Sequence, residues 1–153
     1  MRKKILLALA VLALGLQFVR PQKNISAAPP AKEDFLVAHP PPPELRHLIA
    51  VACYDCHSDN TRYPWYAEIQ PVGWWLARHI DDGVTNLDLS RFGAYTEKRQ
   101  GRKLDAMIDE ITDRTMPLPS YTWIHHDARF SDAQVKQLTD WLQAERDKLP
   151  ADE

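Results

Sequence analysis

The sequence predicts an all-α fold of about four main helices, preceded by a segment that does not belong to the folded domain. Three observations carry this. Glycines are few in a chain of 153 residues. Runs of β-branched residues, the usual mark of a sheet, are absent. Four stretches instead repeat apolar residues at intervals of three and four, the spacing of one helix face.

The first stretch covers 44–56, with Leu45, Leu48, Ile49 and Ala52 in register and Pro43 suited to a first helical turn. The second covers 71–82, where Val72, Trp75, Leu76 and His79 share a face and Gly83 offers a stop. The third covers 94–113, with Leu104, Met107, Ile108 and Ile111 inward and Gly101 weakening its middle. The fourth starts at Ser131, whose partner three residues on, Gln134, makes a capping-box pattern. Its stripe is Val135, Leu138, Trp141 and Leu142. Between the last two, Met116-Pro117-Leu118-Pro119 reads as an extended loop, because each proline removes a donor and restricts its predecessor.

The N-terminal 1–28 reads as a secretory signal. Arg2, Lys3 and Lys4 precede an uncharged apolar run over 5–19, and Ser26, Ala27 and Ala28 supply small residues for cleavage after Ala28. An uncleaved anchor is the alternative, since Arg20, Pro21 and Lys23 interrupt the usual order. Residues 29–43 hold six of the chain's prolines and read as a stiff linker. The domain proper is then 44–150. Taking away the five basic residues of 1–28, which hold no acidic one, moves the formal charge from −2 to −7. Such a surface excludes nucleic acid as a partner and leaves a membrane relevant only through an uncleaved leader.

The only cysteines, Cys53 and Cys56, stand three apart and are followed by His57. Cys53-Tyr54-Asp55-Cys56-His57 is the c-type haem attachment pattern. Two thiols one helical turn apart can each add to a vinyl group of one haem, and the next residue brings an imidazole to the iron. A disulfide over so short a loop would stabilise little. A thioredoxin-like pair would need a βαβ setting, and a zinc site would need two further ligands.

Beyond that pattern the chain resembles a bacterial haem-binding domain family of monohaem c-type proteins. The resemblance rests on Cys53 to Ser58, Pro64-Trp65-Tyr66, Pro71-Val72-Gly73-Trp74-Trp75, His79-Ile80, the run from Tyr95 to Gln100, Met116 to Tyr121, and His125. It covers about 40–149. It implies a cytochrome c-like bundle around one covalent haem c. One departure is Ser90-Arg91-Phe92, where an acidic residue and Trp are expected; it should alter the haem edge and not the ligands.

His57 is the expected proximal ligand to iron. Met116 is the leading distal ligand, in a loop resembling that of class I cytochromes c; a thioether favours ferrous iron and raises the potential. Apolar filling is the plainer role for a methionine. His79 is the alternative distal ligand, against a plainer role as a core histidine; His125 or an open position completes the options. The aromatic residues Trp65, Tyr66, Trp74 and Trp75 are expected to pack the haem. Lys98, Arg99, Arg102 and Lys103 form a basic run, most simply a solvated face. The chain therefore reads as a periplasmic one-electron carrier with an unidentified redox partner protein. A peroxidase-like enzyme or a gas or redox sensor, each needing an exchangeable iron position, is the rival.

Overall fold

The computed structural model describes residues 1–150, and among these the regular elements are all helices, without a strand. Eight α-helices occur: α1 (Arg2–Leu16), α2 (Phe35–Ala38), α3 (Pro43–Ala52), α4 (Tyr54–His57), α5 (Val72–Asn86), α6 (Glu97–Thr112), α7 (Pro119–Thr122) and α8 (Asp132–Arg146). Short 3₁₀ turns lie at Trp65–Glu68, Leu89–Ala94 and His126–Ala128. The four expected stretches are all helical, and each boundary that moved has a local cause.

The first stretch is two helices. Pro43 starts α3, the backbone turns aside at Cys53 (φ −116°), and α4 carries the rest of the attachment motif. The second does not stop at Gly83, because that glycine sits where α5 crosses the motif. A Cβ there would lie 2.3 Å from the Cys56 carbonyl oxygen. Gly101 has a similar role: it is buried under Arg146 of α8, which bonds Asp105 through Nε at 3.0 Å. α6 is capped by the Thr96 side chain, and α8 shows the full capping box of Ser131 and Gln134. The proline loop is not extended to its end, since Pro119 begins α7 in the first-turn position that tolerates it.

Two clusters of buried side chains result. The larger joins Phe35 and Leu36 of α2, Leu45, Leu48 and Ile49 of α3, Leu89 and Phe92, Leu104, Met107 and Ile111 of α6, and Leu138 and Leu142 of α8. The smaller holds only Ala67, Leu76 and Ile80. Phe35 is fully buried, edge-on to Phe92 at 4.8 Å. Its helix is capped by Asp34, so 29–43 is not simply a tether; it carries part of the core.

The N-terminal segment divides in two. α1 buries none of its residues. Residues 17–26 lie along the domain, with an isolated antiparallel bridge between Ile25 and Asn60. No described helix is long and apolar enough to cross a membrane.

Candidate functional site

One cavity of about 550 Å³ gathers the two attachment cysteines Cys53 and Cys56 with His57, His79 and Met116, whereas His125, the further distal option, does not line it. That volume is in the range of pockets that hold cofactors. Its walls come from the end of α3, from α4, α5 and α6, and from 116–121, with Phe130 closing one side. Ala52, Leu87, Met107, Ile111 and Leu118 make much of the lining apolar, while Lys103 supplies a cation.

His57 is held for ligation. Its Nδ1 lies 2.9 Å from the Gly83 carbonyl oxygen and 3.1 Å from that of Leu87. A carbonyl only accepts, so Nδ1 carries the proton and Nε2 keeps its lone pair. Burial lowers the imidazole's pKa, outweighing the two carbonyl bonds that raise it, and Lys103 adds to the lowering, which favours the neutral ring that binds a metal. The contact exists because Gly83 lets α5 approach the motif so closely.

The two thiols are held neutral. Burial, helped by Cys56, pushes Cys53 up to about 12. Burial, helped by the Asp55 carboxylate, pushes Cys56 up to about 11. Redox-active CxxC pairs lower a thiol pKa; this pair does the reverse, and no βαβ unit surrounds it.

His79 and Met116 enter the cavity from different elements. His79 is on α5, one turn before Gly83, half-buried, with Nδ1 2.9 Å from the Trp75 carbonyl oxygen and its ring against Trp75 at 4.1 Å. Of the face expected for α5 only Leu76 is buried; Gly73 and Ile80 are buried beside it, and Trp75 is 45% exposed. Met116 follows α6, half-buried, its backbone N–H bonded to the Glu110 carbonyl at 3.1 Å.

The aromatic expectation needs correction. None of Trp65, Tyr66, Trp74 and Trp75 lines the cavity. Trp65 is 76% exposed. Trp74 donates from Nε1 to the Val19 carbonyl at 2.7 Å. Tyr66 and Trp74 bond His125 and Val19, away from the cavity lining, while Trp75 packs on the outer side of His79, and the smaller cluster is too thin to enclose four large rings. The departure at 90–92 also lies away from the cavity lining: Phe92 is in the large core, and Ser90 bonds Asp59 at 2.8 Å.

Sequence reasoning missed the polar support of the motif. Asp55 is 6% exposed, and its carboxylate accepts from Arg62 Nε at 3.0 Å, Arg62 Nη2 at 3.1 Å and the Tyr121 hydroxyl at 2.7 Å. Tyr121 also bonds the Val51 carbonyl and stacks on His125 at 4.2 Å. His125 Nε2 in turn meets the Tyr66 hydroxyl at 2.8 Å. Burial and Asp55 push the Tyr121 phenol up, so it stays a donor. The signal was present as an acidic residue inside the motif, but its partners are too far along the chain for spacing to reveal.

The residues present fit a haem: a largely apolar slot, a ring nitrogen preset for iron, and two thiols on the same wall. No curated protein and no solved structure matches the chain. A family model described as a haem-binding domain matches residues 11–144, and the chain belongs to that haem-binding domain family.

Proposed function

We propose that the protein is a c-type electron carrier of the periplasm, its haem bound covalently through Cys53 and Cys56, with His57 as proximal and Met116 as distal ligand. The haem supplies a ferric/ferrous couple. The chain's residues set its environment: His57 is oriented by the Gly83 and Leu87 carbonyls, and the apolar walls limit water. The observation that carries the reading is the fixed His57 tautomer in a cavity that also holds both thiols.

Met116 is favoured over His79 because it approaches from the segment after α6. His79 shares α5 with the carbonyl that holds His57 and is turned back to Trp75. A bis-histidine site is the second reading, supported by the same fact that His79 Nδ1 is occupied and Nε2 is open. A peroxidase-like or sensing role needs a displaceable distal ligand.

The test is direct. Haem should remain with the denatured chain through acid–acetone extraction; extraction of the colour would refute covalent attachment. The ferric protein should show the weak far-red charge-transfer band of His/Met ligation. Met116→Ala should remove it and lower the potential, as expected when a thioether is lost. If His79→Ala opens the iron while Met116→Ala changes nothing, the site is bis-histidine. Rapid cyanide or carbon monoxide binding by the unmutated protein would favour an enzyme or sensor.

A further inference from the structure

We infer that residues 1–28 stay on the protein, with α1 as a permanent lipid anchor and the surface at Trp65, Ile69 and Val72 resting on the bilayer.

Residues 17–26 are tied to the domain along their length. Gln17 exchanges two hydrogen bonds with the Gln70 backbone, at 2.9 and 3.2 Å. Val19 receives the Trp74 indole. Arg20 and Lys23 both pair with Glu68. Asn24 is the centre of the strap. Its N–H donates to the Tyr63 hydroxyl at 2.7 Å, its carbonyl accepts from Thr61 at 2.9 Å, and Nδ2 reaches the Ser58 carbonyl at 2.7 Å. Ser26 adds a bond to the Asp59 carbonyl.

Two of these partners, Ser58 and Thr61, lie directly after the attachment motif and hold it. The Ser58 hydroxyl donates to the Tyr54 carbonyl and the Thr61 hydroxyl to the Asp55 carbonyl, each at 2.7 Å. Ser58 and Thr61 are buried. Export cleavage acts on an unfolded chain, so the fold does not shield Ala28. A chain trimmed there would nevertheless lose the strap that covers this segment. The family match likewise begins at residue 11, inside α1.

Retention leaves α1 to be accommodated. From Ile5 to Leu16 it has no polar residue on any face, and its apolar side chains are exposed. A protein groove covers one face; only lipid surrounds a helix on all sides. Its 15 residues rise about 22 Å, too short to cross an unperturbed hydrocarbon core, so α1 requires a locally thinned bilayer with flanking cations reaching toward headgroups. Lys3 and Lys4 stand at one end, Arg20 and Lys23 at the other. The latter pair fixes Glu68 near headgroup level, so neighbouring exposed Trp65, Ile69 and Val72 meet the interface, where Trp is favoured.

The test uses the full chain, expressed with its own leader, fractionated and weighed intact. We expect a mass starting at Met1, in the membrane fraction, released by detergent and not by alkaline carbonate. A chain starting near Pro29, or an intact chain released by carbonate, overturns the proposal. A second comparison exchanges the leader so that the mature chain starts at Gln17 or at Pro29. The shorter form should melt at least about 5 °C lower or fail to accumulate, as expected for losing several hydrogen bonds. Equal midpoints would overturn the strap. Both readouts are independent of the iron ligands, so they stand or fall apart from the electron-carrier reading.

Discussion

Tyr54 and Asp55 are neighbours inside the attachment motif, yet they serve two differently built halves of the molecule. Tyr54 points to the dense side: its hydroxyl donates to Asp34 at 2.9 Å, beside a core of twelve buried apolar residues. Asp55 points to the other side, where three buried apolar residues are supplemented by the Arg62–Tyr121–His125–Tyr66 network and by the strap from 17–26. The first half is held by side-chain burial. The second faces the first across the cavity and has little core of its own, so polar bonds and the haem must do that work.

Haem removal should therefore separate the halves most strongly. In Cys53→Ala/Cys56→Ala chains freed of haem, amides of α5 and the Trp65–Glu68 turn should lose hydrogen-exchange protection by orders of magnitude. Those of α6 and α8 should keep most of theirs. Uniform loss across the chain would show that the two halves are one cooperative unit and break the comparison.

Phe92→Ala tests the dense half from inside. Phe92 is fully buried against Phe35, and its truncation should cost about 3–5 kcal/mol. The visible spectrum of the protein that remains folded should not change. A cost below about 1 kcal/mol in denaturant titration would mean the core is not what holds this half.

Tyr121→Phe probes the polar half with a smaller change. The Val51 carbonyl and Asp55 lose one shared donor, while Arg62 still pairs Asp55. The expected cost is about 1–2 kcal/mol. Because Tyr121 lines the cavity, a small shift in the haem spectrum should accompany it. A stability loss with no spectral change would place the network outside the haem's influence.

The same division explains what could be read in advance. Helices of the dense half announce themselves: Leu104, Met107 and Ile111 are periodic, and Ser131 with Gln134 marks a start. The motif itself named the thiols and His57, because its chemistry demands adjacency. α2 was hidden in a proline-rich stretch, although Asp34 before Phe35 and Leu36 is a cap followed by core residues. On α5 only Leu76 of the expected face is buried: Val72, Trp75 and His79 share its helical spacing, yet apolar periodicity does not distinguish a core from a cavity rim or an exposed side. The Asp55 network joins residues 55, 62, 66, 121 and 125, and no local rule relates positions so far apart.

The smallest expected effect is a pH dependence confined to the dense half. Glu145 on α8 is buried, which alone would raise its carboxyl pKa. His39 at 3.0 Å and Lys148 at 2.6 Å outweigh that and hold it below the ordinary value. A carboxyl whose folded pKa is depressed stabilises the fold above its unfolded pKa and loses that contribution as pH falls through the folded value. Glu145→Gln keeps the shape and removes the charge, so it imitates the protonated acid. The unmutated protein should be more stable than this variant near neutrality, by on the order of 1 kcal/mol for a charge-assisted bond. The gap should close as the solution is acidified below the carboxylate range. His39 packs on Phe35 and Phe92, and neither it nor Glu145 lines the cavity, so the haem spectrum should not follow this step. A gap that widens in acid would reverse the sign of the argument. A spectral change tracking it would show that the dense half transmits its charge state to the site.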